Sequence, residues 1–231
     1  NLSYCDDDSD GDDTNGFVQS IDLESHTPII LGAQDPANFT VTYHSNESDA
    51  ISGSSSLSSP FTNTTANQQT IYVRVINNLT GCLVDRLSFD VVVNPLPIIT
   101  DAVDLKQCDD DTDGFSLFNL NEAATDISTN FANETFVFYP TLADAENDTN
   151  AFTAAEALVF ENRTETIDTV WARAISSENC YRISEVTIIV STTGLPSAFQ
   201  RNFSVCDDFL DIDGNDTANN DDNDGISAFD F

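Results

Sequence analysis

The motif Cys-Asp-Asp-Asp-x-Asp-Gly occurs at Cys5–Gly11 and again at Cys108–Gly114. Cys206-Asp207-Asp208 opens a stretched third copy, which reaches its Asp-Gly only at Asp224-Gly225. A motif that returns about every 100 residues marks a tandem array, in which each unit folds on its own and contacts its neighbours. This sets the boundaries expected for the chain: one module over 1–96, a second over 97–195, and the start of a third over 196–231.

The text between the motifs lines up as well. Gly16-Phe17 corresponds to Gly114-Phe115, Phe39–Tyr43 to Phe136–Tyr139, and Asp49-Ala50 to Asp144-Ala145. Thr70–Ile76 matches Thr169–Ile175, and each is followed by a turn bearing the second Cys, at Cys82 and Cys180. Leu87, Phe89, Val91 and Val93 alternate at period two, as a half-buried strand requires. Pro95-Leu96-Pro97 and Leu195-Pro196 close the modules, because proline stops strand pairing. Short strands with turn signals in units of this length predict an all-β chain of tandem immunoglobulin-like β-sandwich modules. Helix is expected to be minor, with a turn or two over 121–127. The stretch 152–160 is Ala-rich and carries no clear cap.

The acidic loops point to a cation. Asp6, Asp8 and Asp10 before Gly11 alternate like the opening half of a calcium loop, as do Asp109, Asp111 and Asp113 before Gly114. Asn220, Asp222 and Asp224 repeat the pattern, with Asp207, Asp211 and Asp213 as further candidate ligands, and Asp12 lies beside the first loop. No bidentate Glu follows at the EF-hand offset. Carboxylates ~6 Å apart repel by roughly 0.7 kcal/mol per pair even in bulk water. Several such pairs in one short loop amount to a few kcal/mol, which a divalent ion would remove. Calcium is therefore the expected cofactor.

Composition narrows the partners. Seven Lys and Arg face 40 Asp and Glu, for a net charge of -33. Phosphate binding needs the opposite sign, so nucleic acid is excluded as a partner and an anionic membrane surface would repel the chain. No apolar run approaches the ~20 residues of a spanning helix, so no direct membrane insertion is expected. His26 and His44 have no counterparts in the second module and are expected at the surface, and no nucleophile motif surrounds them. The acids fall in repeated runs rather than as a pair across a cleft, so the chain is not expected to be an enzyme. Arg74 and Arg173 are expected to face outward as ion-pair partners. Tyr72 and Trp171, at matching positions, could stack on sugar or pack on a neighbouring strand. Asn-x-Ser/Thr sequons stand at Asn38, Asn63, Asn78 and Asn162.

Five cysteines without a Cys-x-x-Cys pair indicate disulfides in an oxidising compartment rather than zinc. Two pairings fit the spacing. Cys82–Cys108 and Cys180–Cys206 would staple neighbours, whereas Cys5–Cys82 and Cys108–Cys180 would close each module on itself. The last strand carries the chain ~25 Å away from Cys82, which favours the second pairing.

Taken together, Cys-Asp-Asp-Asp-x-Asp-Gly-Phe, the later Asp-Ala, Ile71–Val75 with Gly81-Cys82, and Pro95-Leu96-Pro97 resemble the repeats of very large Bacteroidota cell-surface proteins. That family is exported by type IX secretion, and many members end in a gliding-associated sorting domain. The resemblance implies an extracellular, adhesin-like segment of a longer secreted protein. Its expected partners are a cell-surface or glycan target, or further copies in a filament or bundle. A carbohydrate-binding module and a surface-layer coat are the alternative readings.

Overall fold

The computed structural model describes residues 1–109 and 111–191, together with Cys206, Asn223 and Ser227. Residues 1–192 form one compact unit and 193–231 another. Of the second unit, the described residues show the Ser227 hydroxyl donating to the Cys206 carbonyl at 3.0 Å. The candidate ligands Asp207, Asp211, Asp213, Asn220, Asp222 and Asp224 lie outside the described residues.

The first module contains β1 (Leu2–Cys5), α1 (Thr27–Leu31), β2 (Phe39–His44), α2 (Glu47–Ser52), β3 (Gln68–Asn77) and β4 (Leu83–Asn94). The second contains β5 (Ala102–Cys108), β6 (Leu117–Phe118), α3 (Ala124–Ile127), β7 (Thr135–Tyr139), α4 (Leu142–Asn147), α5 (Ala154–Leu158), β8 (Phe160–Glu161), β9 (Ile167–Ile175) and β10 (Tyr181–Ser191). Each module is built on a four-stranded sheet, ordered β1-β4-β3-β2 in the first and β5-β10-β9-β7 in the second. A thin second layer covers one face. It is the β6–β8 pair and short helical turns in module two, with an Ile21–Phe61 bridge in the same place in module one. The chain is all-β and sandwich-like.

Alternation makes the cores. Ile71 and Val73 on β3, with Phe89, Val91 and Val93 on β4, bury one face of the first sheet against Val18, Ile21, Leu23 and Phe61. Val170, Ala172 and Ala174 on β9, with Val186, Ile188 and Val190 on β10, do the same against Phe118, Leu120 and Phe160. Leu87 departs from its expected place and is 41% exposed. Leu87 pairs with Val73 as the last residue before the β3–β4 register shifts between Val73 and Val75, at the edge of the core.

The helical turns have readable causes. The Asp-Ala pairs open helices: the Asn46 side chain caps Asp49 N and the Thr141 side chain caps Asp144 N, while Ala50 and Ala145 are fully buried. The stretch 152–160 does have a cap, contrary to the expectation from sequence. Thr153 and Glu156 form a reciprocal capping box at the start of α5.

Two parallel strand pairings place the cysteines. β1 runs parallel to β4 with Cys5 beside Asn94, and β5 runs parallel to β10 with Cys108 beside Ser191. The cysteine that opens each module therefore lies at the far end of its last strand. The hairpin cysteine lies at the near end.

Candidate functional site

Each opening loop is organised by its first aspartate. Asp6 Oδ2 accepts from Gly16 N at 2.8 Å, and Asp109 Oδ2 accepts from Gly114 N at 2.8 Å. Asp109 Oδ1 also takes the amides of Asp111 and Thr112. Both aspartates are buried. Burial pushes the Asp109 carboxyl up, but hydrogen bonds from Gly114, Thr112 and Asp111 outweigh it and hold it below the usual carboxylate range.

The glycine that must be glycine in the first loop is Gly16. Its φ is +78°, and a Cβ there would stand 2.7 Å from Asn67 N, whereas one at Gly11 would meet nothing. The latch behind the loop is a buried asparagine whose sequence context matches a glycosylation sequon. Asn63 Nδ2 donates to the carbonyls of Gly16 and Thr65, and its Oδ1 accepts from Val18 N. Asn162 repeats this with Gly114, Thr164 and Ser116. At 2% exposure each, neither can carry a glycan in the folded chain. Their recurrence at matching places, each shortly before β3 or β9, was the available signal.

The structure gathers one ligand set. Carboxylate oxygens of Asp109, Asp111 and Asp113 lie within 4.8 Å of one another, the one such cluster among the described residues. Asp6, Asp8, Asp10 and Asp12 are not brought together in this way. In the first loop Asp7 takes Ser9 N, Asp10 takes Asp12 N and Asn15 Nδ2, and Asp12 takes the amide and hydroxyl of Thr14. A longer loop lets each carboxylate close a local turn of its own.

The cysteine pairing expected from sequence is corrected. Cys5 is bonded to Cys180, with S–S 2.10 Å and Cα–Cα 5.5 Å, while Cys82, Cys108 and Cys206 are free and exposed. Cys5–Cys82 cannot form because β4 is 12 residues long. At about 3.3 Å per residue it holds the two sulfurs some 35–40 Å apart. Cys108 and Cys180 are separated by β10 for the same reason. The bond instead joins the far end of module one to the hairpin of module two. Around it, Arg182 Nη2 pairs with Asp13 Oδ2 at 2.6 Å. Leu96, Asn179 and Tyr181 complete a groove of about 380 Å³ with the first loop.

Three further expectations change. Arg173 is buried rather than outward. Its guanidinium lies 3.6 Å from the centre of the Tyr181 ring and pairs at 3.2 Å with Asp148, the residue that ends α4. Arg74 points at the corresponding helix end, donating to the carbonyls of Ala50 and Ile51. His26 and His44 are also buried. His44 Nδ1 contacts the Ser54 carbonyl at 2.7 Å, and His26 packs on Phe89 with burial lowering its pKa. Tyr72 and Trp171 are half-buried.

Depressed carboxylates set the acid response. Burial raises Asp168, but the Arg163 guanidinium 2.8 Å away and the amides of Arg163 and Thr169 outweigh it, so its pKa is lowered. Thr141 and Asn150 lower Asp144, and Thr153 lowers Glu156. Such groups contribute stability that is present above their unfolded pKa of about 4 and is lost as pH falls through the folded value. Stability is therefore expected to be flat from about pH 7 to 5 and to decline below ~4. Relief of the net charge of -33 works the other way in that window. Urea midpoints of the chain and of Asp168→Asn separate the two: the variant should lose part of the acid-linked decline. An equal decline in both would show that Asp168 contributes none of it.

No helix among the described residues is long and apolar enough to cross a membrane. No curated protein matches the chain. A model of the family described as the Flavobacterium inter-domain disulphide bond domain matches it twice, over residues 1–97 and 104–195.

Proposed function

The chain belongs to this Flavobacterium inter-domain disulphide bond domain family, and from that membership and its own disulfide we propose that it is a non-enzymatic, load-bearing segment of a secreted, type IX-exported surface adhesin. The observation that carries the reading is the Cys5–Cys180 bond, which spans 175 residues and ties one module to the next. A bond of that kind belongs to an oxidising compartment and fits an extracellular multi-domain protein. It adds no chemistry to either module and restricts how the two can move. A charge of -33 further suits an extended surface structure that resists collapse and self-association.

Calcium is the stiffening ion in this reading. Asp109, Asp111 and Asp113 would hold it, because their carboxylates already converge. Calcium takes six to eight oxygens, so backbone carbonyls and water would complete the shell. Bound there, the ion would neutralise the loop at the far end of module two, beside Cys108.

Calorimetry with and without calcium tests this. At 100 times its Kd, calcium should add about 2.7 kcal/mol, raising the melting temperature by roughly 5–10 °C for a chain of this size. Asp111→Ala with Asp113→Ala should abolish the shift. An identical melt in chelator and in millimolar calcium would remove calcium from the proposal and leave the disulfide reading standing.

A further inference from the structure

We propose that the junction disulfide selects by charge the thiols that can open it: attack falls on Cys5, through a groove whose carboxylates slow anionic thiols and admit a cationic one. The inference deepens the reading of the Cys5–Cys180 bond as the load-bearing link, by naming the class of reductant that undoes it. It needs only the bond itself, so it can fail while the load-bearing reading stands.

Access supplies the first argument. In thiol–disulfide exchange a thiolate approaches one sulfur in line with the bond while the other sulfur leaves, so the rate depends on which sulfur can be reached. Cys180 is fully buried in the β9–β10 turn, where its amide donates to the Ser176 hydroxyl at 3.2 Å. Cys5 is half-buried and lines the groove of about 380 Å³ at the junction. Attack on Cys5 Sγ is therefore the open route, and Cys180 is the sulfur that leaves.

Charge supplies the second. Asp6, Asp7, Asp8 and Asp13 line the same groove. The two guanidinium groups beside it are already engaged: Arg182 pairs with Asp13 at 2.6 Å, and Arg173, under the Tyr181 ring, pairs with Asp148 at 3.2 Å. Among the described residues no cation pairs with Asp6, Asp7 or Asp8. A cleft lined by one sign of charge changes the arrival rate of a charged reactant by ~10–1000-fold. The departing Cys180 sulfur adds a further negative charge away from water, which is costly unless a cation accompanies it. Glutathione brings two carboxylates with its sulfur. Cysteamine brings an ammonium, which meets the carboxylates of the groove as its thiolate reaches Cys5.

The covalent step balances as follows. The thiolate forms a bond to Cys5 Sγ, the Cys5–Cys180 bond breaks, and Cys180 leaves as a thiolate that takes up a proton. A second thiolate attacks the small-molecule sulfur of the mixed disulfide and releases Cys5, which is protonated in turn. Two electrons pass to the protein, and two molecules of the small thiol end as its disulfide.

The test reduces the oxidised chain, with the exposed Cys82, Cys108 and Cys206 first alkylated, using cysteamine, 2-mercaptoethanol and glutathione at equal thiolate concentration. Each rate is divided by the same thiol's rate with hydroxyethyl disulfide, an uncharged reference. At low ionic strength, where the Debye length is ~30 Å, the normalised rate should be about tenfold higher for cysteamine than for glutathione, with 2-mercaptoethanol between them. Salt at about 1 M, which shortens that length to ~3 Å, should bring the ratio close to one. Asp7→Asn with Asp8→Asn should narrow it at low salt, and the asparagine at 7 keeps the oxygen that accepts from Ser9 N. Acid quenching should trap the first mixed disulfide on Cys5, with Cys180 as the free thiol. Equal normalised rates for the three thiols, a ratio unmoved by salt or by the paired substitution, or a first mixed disulfide on Cys180 would each overturn the proposal.

Discussion

Tethered at its two ends and pulled, the oxidised chain is expected to release none of the residues between Cys5 and Cys180. The covalent path runs from Asn1 through β1 to Cys5, crosses to Cys180, and leaves along β10. The 175-residue span between the two sulfurs, which holds all of β2 to β9, is a closed loop outside that path. At about 3.5 Å per residue it represents roughly 600 Å of extension. Reductant, or Cys180→Ser, should let this length appear in the unfolding trace. Release of the same length from oxidised protein would mean that the bond carries no load.

Besides the bond, the contacts at the junction include one partly exposed ion pair, worth about 0–1 kcal/mol, and a shallow groove. Scattering of Cys180→Ser should therefore show a broader range of inter-module angles, and proteolysis near Ile98, 86% exposed, should quicken. The chain-entropy account gives a loop of this size about 5 kcal/mol. That is a ceiling, because the short Pro95–Pro97 linker already keeps the two ends close.

The second large effect is expected from Asn162→Ala. The substitution strands the half-buried amide of Ser116 and the carbonyl of the exposed Thr164, while Gly114 O keeps its bond from Thr166 N. A fully buried group left unpaired costs about 1–3 kcal/mol, so with both groups partly exposed a total loss of roughly 1–3 kcal/mol is expected. That lowers the melting temperature by about 3–10 °C. Asn162→Asp should be no better, since it keeps the acceptor but turns carboxylate oxygen toward two carbonyls. Asn78→Ala, at the exposed hairpin, loses one bond with Thr40 and should cost less than ~1 kcal/mol. Equal effects at 78 and 162 would refute the latch.

Much of the fold is legible in the sequence because it is local and periodic. The repeat spacing gives two modules, and alternation at Phe89, Val91 and Val93 gives the buried face of β4. Asp109, Asp111 and Asp113 gather as their alternation suggests, whereas Asp6, Asp8 and Asp10, at the same spacing, do not, so loop length and not spacing alone decides it. Residues whose role depends on distant partners read wrongly. Arg173 and His44 look like surface residues until α4 and the Ser54 carbonyl are placed beside them. Asn63 and Asn162 match a modification signal and serve as buried hydrogen-bond hubs.

The disulfide marks the division most clearly. From spacing alone, the Cys-Asp-Asp-Asp-x-Asp-Gly motif establishes the array, the module length and an oxidising home. It does not establish which cysteine meets which. That was decided by the parallel pairing of β1 with β4 and of β5 with β10, a long-range contact that leaves no periodic mark. It sets Cys5 a full strand away from Cys82 and, where the chain crosses into the next module, within bonding distance of Cys180.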